Sequence, residues 1–296
     1  MWDQLLQNIL RGDQQSLARC ISLVENEVEG YDKLLQSLPV VATPVIGITG
    51  PPGAGKSTLT DALIEAYVGD GKKVAVICVD PSSPFNLGAL LGDRIRMSAW
   101  YNHPAVFIRS LATRGAVGGL HPKIIEITDL MKVAGFDEII VETVGVGQSE
   151  IEIAGLADTT VVVLVPEAGD EVQTMKSGLM EIADIFVVNK ADRPDANTFV
   201  KNLQQMLAPA FSTQHHEIAI IKTIASRKEG IVELKDKIAM HSTSKNNDRR
   251  TWLLAEKAYQ LIKNKRMADV SKRDLQLAVE NAGTTFNLYQ FVARYN

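Results

Sequence analysis

The 296-residue chain has only two cysteines, Cys20 and Cys78, and neither belongs to a CxxC pair. Neither a disulfide framework nor a thiolate metal site is supported, so a reducing, cytoplasmic setting is the expectation. Long apolar runs are also missing. Runs such as Val161 to Val165 fall far short of the ~20 residues that a membrane-spanning helix needs. The opening MWDQLLQNILRGDQQ has no continuous apolar core and carries an early acid, unlike a targeting segment. A dominant charge is absent too: the net charge of -4 argues against a general nucleic-acid binder. The basic stretch from Lys245 to Arg273 reads as a solvated helix face. No internal repeat or low-complexity tract breaks the pattern.

What is present is a chain with 46% hydrophobic residues, long enough for one large core. Leu5, Leu6, Ile9, Leu10, Leu17, Ile21 and Val24 recur at helical spacing, which predicts helices with one apolar face up to about residue 37. Pro39 and Pro44 punctuate the chain. Short β-rich runs then alternate with helical ones: 45–49, 74–79, 105–109, 138–141, 160–165, 185–189 and 217–222. That rhythm predicts an α/β fold, a mostly parallel sheet covered by helices on both faces. After the polar HSTSKNNDRR, a further helical pattern starts at Trp252. The expected organisation is an amino-terminal helical extension (1–40), a nucleotide-binding domain (41–243) and a carboxy-terminal helical extension (244–296).

The chemistry is concentrated at predicted strand ends, where ligands collect in such sheets. GPPGAGKST comprises Gly50, Pro51, Pro52, Gly53, Ala54, Gly55, Lys56, Ser57 and Thr58, between a strand and a helix. It fits the P-loop pattern in the required context. Its glycines let backbone N–H groups face phosphate oxygens, Lys56 would reach the β and γ phosphates, and Ser57 would ligate Mg²⁺. Asn189-Lys190-Ala191-Asp192 follows another apolar run. The Asp192 carboxylate can accept from guanine N1–H and N2–H₂ together, a donor pair that adenine lacks. Asn189 and Lys190 would brace the loop and pack against the base. Asp80, Asp93 and Glu142 are the acids available to a magnesium shell, because Mg²⁺ takes oxygen ligands and keeps several waters. Asp80 also suits a turn-initiating Asp-Pro, and Asp93 a surface pair with Arg94 or Arg96.

The ordered set GPPGAGKSTL, DPSSP with GALLGDRIRM, FIRSLATRG, ETVGVGQSE, AGDEVQ and NKAD resembles the MeaB/ArgK family of P-loop GTPases over about residues 40 to 240. Phe85-Asn86-Leu87-Gly88 departs from the family's usual Thr-Gly-Gly type run. The resemblance implies a SIMIBI-type GTPase that chaperones an adenosylcobalamin-dependent acyl-CoA mutase such as methylmalonyl-CoA mutase, with GTP/GDP and Mg²⁺ as ligands. It implies a homodimer with a carboxy-terminal dimerisation arm. By resemblance Glu142 orients the metal's water shell, Gly145 meets the γ-phosphate, and residues 146–150 form a switch. Gln148 either positions water or caps the next helix. Ala225 joins the nucleotide contacts, and 166–178, with Asp170, Glu171 and Lys176, is an additional switch loop or a charged helix entry. Arg114 stands near phosphate or partner, or merely in a loop entering a helix.

Two other functions compete. A small-molecule kinase linked to amino-acid transport would use the same phosphate loop but has no reason to select guanine. A nickel-insertion GTPase would need more than His215-His216, which reads as plain surface. Base selection is testable directly. Asp192→Asn sets an amide donor against guanine's donors, so GTP affinity is expected to fall by about two decades while xanthosine triphosphate improves, as nucleotide titration would measure.

Overall fold

The computed structural model of the chain describes residues 1–80, 97–113, 120–143, 149–168, 178–211, 218–243, 247–282 and 286–295. Among the described residues seven strands make one parallel sheet: β1 (Val45–Thr49), β2 (Val74–Asp80), β3 (Val106–Ala112), β4 (Glu138–Glu142), β5 (Thr159–Leu164), β6 (Ile185–Val188) and β7 (Ala219–Lys222). Their spatial order is β3-β2-β4-β1-β5-β6-β7. β1 is central, with β4 on one side and β5 on the other, so the chain reverses its direction of growth there. In open parallel sheets that switch point is where a crevice forms beyond the strand carboxyl ends.

Strand residues are apolar almost throughout because both faces are covered. On one face Ile46, Ile48, Val76, Val161 and Val163 pack with Leu59 and Leu63 of α4 (Lys56–Gly69) and with Leu234 and Ile238 of the later helix Ile231–Thr243. On the other, the amino-terminal helices α1 (Trp2–Leu10), α2 (Gln14–Glu25) and α3 (Tyr31–Gln36) share a buried cluster with Ala75, Ile77, Ile139 and Val141 and with α5 (Ile124–Val133). Further along that face, Val162, Leu164 and Phe186 meet Phe199, Leu203 and Leu207 of the helix Ala196–Phe211. Among the described residues no helix is long and apolar enough to cross a membrane.

The chain divides into two compact units, Met1–Leu253 and Leu254–Asn296. Helix Asn247–Arg266 runs on into the second unit, which also holds helices Lys272–Ala282 and Leu288–Val292. Within that unit Phe291 packs its ring against Phe286 and Tyr295, with centroids 5.3 and 5.5 Å apart.

Polar contacts join the helical cover to the sheet and its helices to one another. Arg109 on β3 donates to Ser22 Oγ at 3.1 Å and forms an ion pair with Glu25, both on α2. Lys123 reaches Glu27 at 2.7 Å, the Tyr31 hydroxyl at 3.1 Å and Glu126 at 3.4 Å. Burial pushes the Glu126 carboxyl above its ordinary range, and Lys123 pulls against that shift. Removing one partner of a largely buried pair strands the other. Glu25→Leu alone is therefore expected to cost about 2–4 kcal/mol in chemical denaturation, and Arg109→Met added to it should recover most of the loss.

Candidate guanine-nucleotide site

The phosphate loop begins where β1 ends. Gly50 has φ +135°, and a Cβ there would lie 2.1 Å from the Val163 carbonyl oxygen, so only glycine lets the loop turn so close to β5. Gly55 has φ +88°, and its Cβ would lie 2.4 Å from Asn189 Nδ2. Gly55 precedes α4 without any side-chain cap, which leaves the first N–H groups of the helix to face an anion. Lys56 is buried, and its Nζ donates to the carbonyls of Gly50 at 2.8 Å and Pro51 at 3.0 Å. The ammonium is folded over the loop that it serves.

Glu142 closes β4 beside β1, where it pairs in register with Ile48. It is 4% exposed, and its two carboxylate oxygens are held separately. Ser57 Oγ donates to Oε1 at 2.6 Å and Thr60 Oγ1 to Oε2 at 2.9 Å. Asp80 ends β2, two residues past Cys78, the register partner of Glu142. Among the described residues no group of three or more His, Cys, Asp or Glu could hold a metal ion. A hydroxyl and a carboxylate oxygen 2.6 Å apart nonetheless suit a hard cation that keeps most of its waters. Thr60 was missed from sequence, although its i, i+3 relation to Ser57 on one helix face was there to be read.

The opposite end of the site is built on Asn189, directly after β6 and 2% exposed. Its Nδ2 donates to the Ala54 carbonyl at 2.9 Å, while its Oδ1 accepts from Thr223 Oγ1 and from Ala225 N–H, both at 3.1 Å. Lys190 takes a left-handed backbone, φ +55°, and its Nζ donates to the Gly53 carbonyl at 2.7 Å. Asp192 is partly exposed beyond this brace, its carboxylate 3.5 Å from Arg227 Nη2. Ala225 opens the short turn Ala225–Arg227 after β7 and is buried. Thr223 and Arg227 are further members of the site, and their signal was another polar segment at a strand end. Residues 50–58, Glu142, 189–192 and Ala225 thus gather at the carboxyl ends of β1, β4, β6 and β7. Asp93, Gly145, Gln148, Arg114, Asp170, Glu171, Lys176, His215 and His216 lie outside the described residues, as does 85–88, and the Asp80 side chain is likewise undescribed.

The family described as Methylmalonyl Co-A mutase-associated GTPase MeaB matches residues 17–278. The chain belongs to the MeaB family. It is a GTPase, and guanine nucleotide is its ligand class. MeaB-like chains at considerable identity span most of it: a protein of Pyrococcus abyssi named as a GTPase is 48% identical over 249 residues, covering 81% of this chain and 76% of that one. The GTPase ArgK of Escherichia coli is 40% identical over 193 residues, 63% of this chain and 58% of ArgK. The fused isobutyryl-CoA mutase of Geobacillus kaustophilus is 38% identical over 237 residues, 75% of this chain and 22% of that larger protein. Among solved structures, a LAO/AO transport system kinase superposes with TM-score 0.70 at 28% identity, covering 99% of this chain and 96% of the other. HypB from Helicobacter pylori in complex with nickel gives TM-score 0.50 at 19% identity over 72% and 91%, a likeness of fold alone.

The geometry around Asn189 generates a graded expectation. Asn189→Ala removes three bonds and leaves the Ala54 carbonyl and the Ala225 N–H without their partner, so it should cost about 2–4 kcal/mol of stability and weaken GDP by about tenfold or more. Thr223→Val removes one donor only and should cost about 1 kcal/mol, with GDP affinity nearly kept. Calorimetric titration and thermal unfolding measure both.

Proposed function

We propose that this MeaB-family GTPase uses GTP binding and hydrolysis to gate cofactor loading, or cofactor protection, in an adenosylcobalamin-dependent acyl-CoA mutase such as methylmalonyl-CoA mutase. The observation that carries this reading is the fused relative: a segment resembling this chain forms part of a protein named for its isobutyryl-CoA mutase. Two functions held on one chain work at high mutual concentration, and fusion suits proteins that otherwise have to meet. The family description points to the same class of partner.

Within that reading, the backbone of Gly50 to Gly55, with Pro51, Pro52 and Ala54, cradles the phosphates, and Lys56 exchanges its loop carbonyls for phosphate oxygens. Thr58 lies in the first turn of α4, where its N–H adds to the anion-binding end. Ser57, Glu142, Asp80 and Asp93 are the residues that would hold Mg²⁺. When bound, that ion would supply positive charge against the phosphate oxygens. Asp192 reads the guanine edge, while Asn189, Lys190 and Ala225 form the floor and rim around the base. Gly145 and Gln148 remain assigned to the γ-phosphate side, and 166–178 to transmission of the nucleotide state. Leu254, Tyr259 and Ile262 are exposed in the helix Asn247–Arg266, which supports a dimerisation role for the carboxy-terminal extension.

A kinase reading draws on one observation, the fold shared with the LAO/AO transport system kinase. The nickel reading has only a likeness of fold behind it. Partner and kinase readings separate in one experiment. GTP turnover is measured alone and with a cobalamin-dependent acyl-CoA mutase, alongside phosphate transfer to free amino acids. The expected result is a several-fold rise in turnover with the mutase, lost in Glu171→Gln and Lys176→Ala while their turnover alone is kept. A partner that favours one nucleotide state by about 1–3 kcal/mol is sufficient for that rise. No rise with any such mutase, together with a phosphorylated amino acid, would replace the chaperone by the kinase.

A further inference from the structure

Thr60 is fully buried one turn beyond Ser57 on α4, outside the P-loop signature. Its hydroxyl has two acceptors in reach: the Lys56 carbonyl at 3.0 Å and Glu142 Oε2 at 2.9 Å. A hydroxyl carries one proton, so these acceptors compete. The back-bond to the carbonyl four residues earlier is open to any helical threonine, and that oxygen already has its place in the helix ladder. The carboxylate, when ionised, is the stronger acceptor, because a bond to a charged oxygen is charge-assisted. Ser57 and Thr60 therefore grip Glu142 at both oxygens from one face of one helix.

We propose that Thr60 is a positioning residue for GTP hydrolysis: by holding Oε2 it fixes the rotation of the Glu142 carboxylate, so that Oε1 stays turned toward Ser57. This rests on the reading of Ser57 and Glu142 as a cation-binding pair. The physical need is specific to a glutamate at this place. A glutamate has one more side-chain torsion than an aspartate, and its terminal torsion is broad and two-fold rather than staggered. A hydrogen bond at Oε1 does not by itself define the plane of a carboxylate, whereas bonds at opposite oxygens do. Mg²⁺ demands near-octahedral geometry, so a swinging oxygen or a misplaced shell water weakens its binding. Of the rotamers open to a helical threonine, the one adopted here brings the hydroxyl within 2.9 Å of Glu142 Oε2.

The test uses the full chain with Thr60→Val, which keeps the shape and removes the donor, Thr60→Ser, which keeps the donor, and Glu142→Ala. Release of a fluorescent GDP analogue is followed across a magnesium titration, with metal-free GDP affinity and thermal unfolding measured beside it. GTP turnover at saturating magnesium completes the set. Thr60→Val is expected to raise the magnesium midpoint on the order of tenfold, the loss of one charge-assisted bond, while leaving metal-free GDP affinity nearly unchanged. Thr60→Ser should restore the midpoint. If the valine variant fails to fold, Thr60→Ala replaces it in the same titration. A normal magnesium midpoint in Thr60→Val, with the response abolished in Glu142→Ala, would show that Thr60 only bonds back to its helix; the inference would fall and the cation pair would stand. Equal impairment in Thr60→Ser and Thr60→Val would trace the effect to packing and overturn the inference as well. A full magnesium response in Glu142→Ala would remove the cation pair itself.

Discussion

The buried amide of Asn189 is the constraint on which the nucleotide edge of this molecule depends. Three segments far apart in sequence leave the same edge of the sheet after β1, β6 and β7, and each carries backbone polar groups into a place shielded from water. Asn189 satisfies one group from each neighbour, the Ala54 carbonyl on one side and the Ala225 N–H on the other. It also accepts the Thr223 hydroxyl, so both lone pairs of Oδ1 and one N–H of Nδ2 are engaged. A buried polar group left unpaired costs about 1–3 kcal/mol, and here the loss of one side chain would expose two such groups. The phosphate loop and the base loop are therefore one mechanical unit.

Glu142 plays the corresponding part on the other side of β1. An isolated carboxylate at 4% exposure would be costly to ionise. Two hydroxyl donors offset that cost, and both come from the first two turns of α4, the helix that follows the phosphate loop. The helix is thus anchored to β4 through its first two turns. Parallel strands make this possible, since every strand delivers its last residue to the same edge and the helix that starts there can reach its neighbours.

Much of this was legible in the sequence, for local reasons. The run 45–49 is an unbroken apolar strand followed by glycines, and the structure ends β1 at Thr49 as the pattern does. The third strand was read as 105–109 but extends to Ala112, because Arg109 and Ser110 interrupt the apolar pattern while remaining in the ladder with Ile77 and Cys78. Arg109 is tolerated there by its pairing with Glu25, a partner 84 positions away that no window of sequence contains. Likewise the seventh strand begins at Ala219 rather than 217, where a short edge strand gives periodicity little to work with. Lys56, Ser57, Asn189 and Asp192 could be singled out as candidates because each belongs to a compact motif. Thr60 and Thr223 were not, since their roles exist only through contacts with Glu142 and Asn189 across the fold.

The charged groups of the site share a further property that bears on how a partner can act. Lys56 donates to Gly50 and Pro51, Glu142 accepts from Ser57 and Thr60, and Asp192 lies against Arg227. Each charge already has a partner within the protein. Binding nucleotide therefore exchanges one set of hydrogen bonds for another, and the net free energy is a difference between two well-satisfied states. Such an exchange lowers the net gain from binding. A protein that contacts only one of the two arrangements with an extra 1–3 kcal/mol, about the size of ordinary allosteric coupling, would shift the populations between 5- and 150-fold. Nucleotide must by linkage alter the affinity for that protein to the same degree. A P-loop whose charges waited unpaired would bind nucleotide more tightly, and would leave a partner little to control.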